Sequence, residues 1–209
     1  MIKQILTFSL AIFLCACAAR NVKQLPPEVR AVKKVDFFVA GHTQAAFKIS
    51  GMLNRMEIEG VMIVKKIGEE DFDVSVMTGG AYRVLQATVT PEGIAYRYLF
   101  KDADTALIRG RINQFLNLLL LEPGIYQRRR ATAQEQLLAY KGDSATVHLL
   151  YKNQEIYPYV AKTITLLNTA DLSYQSYAPI ATDSSIQVPH ELIYKDGKIE
   201  VTLTLIRLK

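Results

Sequence analysis

Residue types that could support chemistry are few in this 209-residue chain, and they are widely spaced. The three histidines, His42, His148 and His190, lack the i, i+4 spacing of a zinc-binding helix. The acidic run Glu69–Asp73 lacks the ligand spacing of a calcium loop, so we interpret it as a polar turn. The sequence contains no glycine-rich phosphate loop and no nucleophile-elbow motif. It therefore predicts no catalytic residues, no metal site and no cofactor.

The two cysteines, Cys15 and Cys17, mark the one modification that the sequence does indicate. They end an apolar run over residues 5–14, which is too short to span about 30 Å of hydrocarbon but fits a signal-peptide core. Leu14-Cys15-Ala16-Cys17 resembles the lipobox of bacterial lipoproteins, whose last cysteine is lipidated. This resemblance implies a signal peptide over 1–16, followed by a lipidated N-terminus and tether over 17–34 that carries acyl chains such as palmitate on Cys17.

The residue after Cys17 is Ala18 rather than aspartate. By the same resemblance, this favours an anchor in the outer membrane, with the body of the protein facing the periplasm. A cleaved secretory signal with incidental cysteines and an uncleaved membrane anchor are the two alternatives. Because both cysteines lie in the first 17 residues, a disulfide framework is excluded for the rest of the chain.

Composition and charge argue against a nucleic-acid-binding protein. Lys and Arg number 25 against 20 Asp and Glu, a net charge of +5, and outside Arg128–Arg130 the positive charge is spread thinly. We interpret Arg128–Arg130 as a solvated loop, with contact to anionic head groups as the alternative. Half of the residues are hydrophobic, which predicts a packed core.

Hydrophobic periodicity predicts a chain made mostly of strands with one central helix. Apolar and polar residues alternate over many short segments, and the turns Gly79-Gly80, Pro91-Glu92-Gly93 and Asp196-Gly197 separate several of them. In the middle of the chain, apolar residues recur at three- and four-residue steps from Asp104 to Leu121, which predicts an amphipathic helix. Asp104 is its expected N-cap. We count ten or eleven strands and one helix.

The order of these elements resembles the LolA/LolB superfamily, and most closely the LolB-like outer-membrane lipoproteins of unassigned role. The resemblance lies in the strands of residues 60–100, the helix Asp104–Leu121 and the closing hairpin Val188–Val201. It implies an unclosed antiparallel β half-barrel with a helical lid over residues 35–209. It also implies that the protein is a monomer and not an enzyme. A hydrophobic cup would bind acyl chains of lipoprotein or lipid, and a periplasmic LolA-like carrier would be a partner.

The site expected from this resemblance lies on the apolar face of the helix. The residues expected to bind lipid are Leu107, Ile108, Ile112, Phe115, Leu116, Leu119 and Leu120. A hairpin tip formed by Met77, Gly79, Gly80 and Tyr82 corresponds to the family's membrane-contact loop, although no leucine stands at this tip.

Three alternative interpretations remain at this point. The helix stripe is also typical of an ordinary core helix, and the two interpretations are compatible because a lid helix is itself part of the core. A structural or assembly lipoprotein would use a sheet edge to bind a protein partner. An envelope enzyme acting on a lipid-linked substrate would need a polar cluster inside the cup, which the sequence does not display.

Overall fold

Twelve strands make up most of the part of the chain that the structure describes. The computed structural model describes residues 35–209 except 54–55, 80–81, 143–144, 153–154, 166–167, 182 and 198. The strands are β1 (Gln44–Leu53), β2 (Met56–Lys66), β3 (Phe72–Thr78), β4 (Tyr82–Thr90), β5 (Gly93–Leu99), β6 (Ile125–Ala131), β7 (Glu135–Lys141), β8 (Thr146–Lys152), β9 (Val160–Ile164), β10 (Thr169–Ile180), β11 (Asp183–Asp196) and β12 (Ile199–Leu208). The predicted leader and tether, residues 1–34 with Cys17, lie outside the described residues.

All the strands belong to one antiparallel sheet. Its order is β5-β4-β3-β2-β1-β12-β11-β10-β9-β8-β7-β6, so nearly every strand pairs with its neighbours in the chain. The exception is the pairing of β1 with β12, which joins the two halves. Strands β5 and β6 are the edges, and among the described residues they do not pair with each other. The sheet is therefore an unclosed half-barrel, as the sequence predicts.

Alternation along the strands gives the sheet one buried face. Leu149 lies opposite Ala161, Ala161 opposite Leu172, Leu172 opposite Tyr194, and Tyr194 opposite Val201. The first four of these residues are buried. Since directly paired residues point to the same side of a sheet, the row forms a continuous apolar inner face across five strands.

The described residues contain a single α-helix, α1 (Ala106–Leu120), which follows β5 and precedes β6 in the chain. It packs on this inner face of the sheet. Its N-cap is Thr105, one residue after the expected cap, because the Thr105 side chain accepts a hydrogen bond from the Ile108 amide at 3.3 Å. Asp104 instead forms an ion pair with Arg109 at 2.5 Å. A short 3₁₀ turn, Lys101–Ala103, connects β5 to the helix.

The interpretation of Arg128–Arg130 as a loop is wrong, because these residues lie in edge strand β6. Arg128 and Arg130 are exposed and Arg129 is half-buried, which is the two-residue alternation of a strand. Charged side chains on an edge strand also discourage pairing with another chain. The strand was missed because three consecutive arginines interrupt the alternation of apolar and polar residues in its sequence.

The first described segment, residues 35–41, packs on the sheet without forming a strand. Phe37 is buried, with its ring centroid 5.2 Å from that of Phe47 in β1. Phe38 lies equally close to Phe72 in β3. Aromatic packing therefore holds this segment at one end of the half-barrel.

Candidate functional site

A cavity of about 130 Å³ lies between α1 and the inner face of the sheet. Its wall consists almost entirely of apolar side chains, contributed by both halves of the sheet and by the helix. The lining residues are Ile49, Ile58, Met62, Val76, Val84, Leu85, Leu99, Ala103, Arg111, Ile112, Phe115, Leu116, Tyr194, Ile199 and Val201. An apolar space of this kind favours hydrocarbon over water.

The expected lipid-binding residues fall into four groups. Ile112, Phe115 and Leu116 line this cavity, and the Phe115 ring lies 5.0 Å from that of Tyr194 across it. Ile108 is buried in the core, whereas Leu107 is 61% exposed. The remaining two, Leu119 and Leu120, line a second cavity described below.

A buried polar cluster attaches the middle of α1 to the end of β11. Asp196 is 1% exposed, and its carboxylate accepts a hydrogen bond from Asn168 Nδ2 at 2.5 Å. Arg111 Nε lies 3.7 Å from Asp196 Oδ2, and the Tyr194 hydroxyl is 3.5 Å from the same oxygen. The aliphatic part of Arg111 thus borders an apolar cavity while its charged end is paired beside it. Nothing in the sequence distinguishes this buried aspartate from an ordinary turn residue before Gly197.

Tyr96 in β5 attaches the other side of the same helix. Its hydroxyl donates to Asn113 Oδ1 at 2.5 Å, and the Arg109 guanidinium lies 5.2 Å from the centre of its ring. Burial raises the pKa of Tyr96, which therefore stays a neutral donor. Polar contacts on both flanks thus fix the helix above the cavity.

A second, larger cavity of about 480 Å³ lies beyond the C-terminal end of α1. Its apolar residues include Phe37, Phe72 and Leu119, and its wall also carries Glu69 and Glu70. Sequence reasoning did not identify this cavity. The adjacent aromatic residues Phe37 and Phe38 were the feature of the sequence that could have indicated it. The residues that they contact are distant in sequence, so local pattern does not show the contact.

Solved structures with the same architecture include a LolA superfamily protein from Nitrosomonas europaea. The similarity has a TM-score of 0.58 at 14% sequence identity and covers 80% of this chain and 85% of that chain. The chain has the LolA/LolB superfamily fold. No protein-family model matches the chain, and no curated protein matches it.

Two further structures are similar at lower scores. One is a domain from Vibrio parahaemolyticus named for outer membrane lipoprotein sorting, with a TM-score of 0.48, 6% identity, and coverage of 80% of this chain and 85% of that chain. The other is a DUF1329 family protein from Desulfovibrio piger, with a TM-score of 0.49, 9% identity, and coverage of 82% and 87%.

Within the LolA/LolB fold, the β3–β4 hairpin carries the expected membrane-contact residues. Met77 is half-buried and Gly79 is exposed with a positive φ of 41°. Tyr82 is 77% exposed, the largest exposed fraction among the large hydrophobic residues of the described chain. Gly80 lies outside the described residues. Tyr82 is therefore the most exposed large apolar side chain among the described residues of this hairpin.

The described residues contain no group of three or more His, Cys, Asp or Glu side chains that could hold a metal ion. They also contain no helix long and apolar enough to span a bilayer. The groups with the largest pKa shifts are tyrosines, as in Tyr140, where burial raises the pKa to about 12.

Proposed function

We propose that this protein binds acyl chains in the cavity between α1 and the sheet. The observation that carries the proposal is the apolar wall of that cavity, to which Ile112, Phe115 and Leu116 contribute one side. The fold supports it, since a LolA superfamily protein has the same architecture. Binding and transfer, rather than bond formation, is the action that such a wall favours.

The cavity size limits how much of a chain it holds. At roughly 30 Å³ for each water-sized group, about 130 Å³ accommodates about four methylene groups. Burying four methylenes yields about 3 kcal/mol, which is modest and suits a ligand that must be released. A complete acyl chain therefore extends beyond this cavity or displaces α1.

The sequence supports a more specific role within the envelope. Residues 1–16 would be a signal peptide, Cys17 the lipidated residue, and 17–34 a tether to a lipid-binding domain over 35–209. The protein would then be a lipid-anchored, periplasm-facing lipoprotein of the outer membrane. In that setting it would act as a LolB-like acceptor or carrier of lipoprotein or lipid, receiving cargo from a LolA-like carrier. The lipobox-like Leu14–Cys17 supports this part of the proposal.

Titration of the purified protein with dodecanoate and with an acylated peptide tests the proposal, with native mass spectrometry to detect co-purified lipid. Ile112→Ala removes part of the cavity wall and should weaken chain binding several-fold. Ile180→Ala is the matched control, because Ile180 is buried but is not among the lining residues of either cavity. Both variants should lose about 1–4 kcal/mol of stability.

The comparison between the two variants decides the result. If Ile112→Ala loses stability but binds dodecanoate as the unchanged protein does, the helix face is only core. If neither ligand binds and no lipid co-purifies, the proposal fails, and a role in binding a protein partner becomes the better explanation.

A further inference from the structure

Strand β6 leaves one edge of the sheet without a neighbouring strand among the described residues. Its hydrogen-bonded ladder is with β7 on the other side, and the register of that ladder is regular from Arg128 to Ala131. All seven residues of β6 are described and none of them is buried, so this edge is open to solvent. The backbone N–H and C=O groups along it are therefore available to a further strand.

The arginines of β6 alternate between the two faces of the sheet. Arg129 lies opposite Leu138, which in turn lies opposite Leu149 on the buried inner face. Arg128 and Arg130 therefore lie on the outer face, since successive side chains of a strand point to opposite sides.

Further cations lie on the same outer face. Successive pairing places His148 of β8 and Lys162 of β9 in one row with Arg128. These charges act on one imidazole, because burial and then Arg128, Lys162 and Arg130 lower the pKa of His148. Over β6–β9 the outer face carries five Lys and Arg side chains against one carboxylate. The cations are Arg128, Arg130, Lys141, Lys152 and Lys162, and the carboxylate is Glu135.

The charge nearest the edge is not neutralised within the described chain. Lys162 pairs with Asp171 of β10 at 3.5 Å, and Glu135 accepts a hydrogen bond from the Tyr159 hydroxyl. Arg128 and Arg130 form no ion pair with any described residue. A partner at this edge would therefore meet two unpaired guanidinium groups.

The other edge of the sheet, β5, differs in this respect. Its single charged residue is Arg97, which is paired with Asp73 of β3 at 2.5 Å. Strand β5 thus presents an edge without an unpaired charge, whereas β6 combines open backbone groups with two cations.

We propose that the β6 edge binds an extended acidic segment of a partner protein, which adds to the sheet as a further antiparallel or parallel strand. Glutamate or aspartate at two alternate positions of that segment would face Arg128 and Arg130, since directly opposite residues share a face. The same arginines discourage pairing with a basic strand, so they select for an acidic one. The proposal goes beyond acyl-chain binding and does not depend on it.

Two other occupants fit this edge less well. A second copy of the chain, paired edge to edge, would bring the arginines of one β6 strand against those of the other. A lipid bilayer would meet the cations but would leave the backbone groups of β6 unpaired. An extended acidic chain satisfies both the charge and the backbone.

Calorimetry with designed peptides tests the charge preference. The probe is a capped peptide of sequence Thr-Val-Glu-Val-Glu-Val-Thr, and the control peptide carries lysine at both glutamate positions. The full chain should bind the acidic peptide roughly tenfold more tightly than the basic one.

Substitutions on the edge locate the binding. Arg128→Gln and Arg130→Gln should each weaken binding of the acidic peptide roughly threefold, and the double variant roughly tenfold. Arg207→Gln is the matched control, because Arg207 is equally exposed but belongs to β12, which has a neighbouring strand on both sides. Since all three arginines are exposed, each variant should unfold in urea as the unchanged protein does.

Hydrogen exchange separates strand addition from contact between charges alone. With the acidic peptide bound, amides within residues 125–131 should exchange roughly tenfold more slowly. The amides of β5 should not change, because that edge lacks the unpaired cations.

Three results overturn the proposal. If the acidic peptide does not bind at millimolar concentration, or binds no better than the basic one, the edge is not a site for acidic strands. If binding survives the double substitution, it lies elsewhere on the protein. If binding needs the arginines but exchange over 125–131 stays unchanged, and inorganic polyphosphate or phosphatidylglycerol vesicles compete equally well, the surface is a general contact for polyanions.

Discussion

The ion pair between Arg111 and Asp196 is the contact whose removal tests most directly how α1 is held above the cavity. Replacing Arg111 with methionine retains an aliphatic side chain along the cavity wall but removes the charge. Among the described residues, the carboxylate of Asp196, which is 1% exposed, would then keep two neutral partners, Asn168 and the Tyr194 hydroxyl. We expect Arg111→Met to destabilise the protein because a buried carboxylate loses its counter-charge.

The geometry sets the size of the effect. Two unit charges 3.7 Å apart attract by about 4 kcal/mol at an effective dielectric constant of about 20. The free-energy cost of removing the buried Asp196 carboxylate from water offsets most of that attraction. The corresponding cost for Arg111 is smaller, because its side chain is still 25% exposed. We therefore expect a net coupling of about 1–2 kcal/mol, and a loss of about 3 kcal/mol for Arg111→Met alone.

A double-mutant cycle measures that coupling. Arg111→Met, Asp196→Asn and the double variant are unfolded in urea, and far-ultraviolet circular dichroism gives each free energy of unfolding. Asp196→Asn should lose about 1–2 kcal/mol, since asparagine keeps an acceptor for Asn168. The double variant should be more stable than the sum of the single effects implies, by the coupling energy.

Additive effects, to within about 0.5 kcal/mol, would refute this account of the helix attachment. So would an Arg111→Met variant as stable as the unchanged protein, because Asp196 would then not depend on the charge. Hydrogen exchange adds a local check: α1 amides should lose protection in Arg111→Met before those of β11 do.

The remaining predictions concern backbone fit and pH. Gly51→Ala should destabilise the protein by about 3 kcal/mol or more, because its Cβ would lie 2.2 Å from the Glu200 carbonyl oxygen. Gly110→Ala in α1 meets nothing within 4 Å and should stabilise by about 1 kcal/mol in the same urea assay. Burial, with Arg128 among the nearby cations, lowers the pKa of His148 in the folded protein. The unfolded chain therefore binds more protons between that lowered value and about 6.5, so stability should fall as pH decreases through this window. His148→Gln should remove that part of the pH dependence, and an unaltered pH profile would contradict this assignment.

Local pattern was sufficient for most of the regular structure. The strands expected on either side of the Gly79-Gly80 turn correspond to β3 and β4, because alternating apolar residues and glycine or proline turns act over a few residues. The helix was equally evident, since the apolar stripe from Ile108 to Leu120 has the helical period. Its cap was displaced by one residue, because Asp104 and Thr105 are both acceptable caps and only the ion pair with Arg109 distinguishes them.

Edge strand β6 and the irregular segment 35–41 could not be predicted from local sequence pattern. Strand β6 carries arginine on its outer face, so its sequence resembles that of a polar loop. Only its pairing with β7 in the folded chain distinguishes it as a strand. The 35–41 segment has the apolar content of a strand, but its aromatic side chains pack on Phe47 and Phe72 instead of entering the sheet.

The sequence by itself determined that the described part of the chain has one amphipathic helix and a many-stranded sheet with a single apolar face. The tertiary structure decided which part of that helix faces a cavity. Ile112, Phe115 and Leu116 line the space above the sheet, Leu119 and Leu120 line another, and Leu107 is left in solvent. The physical reason is the pairing of β1 with β12, which brings together residues about 150 positions apart, whereas periodicity reports only on neighbours within a few turns.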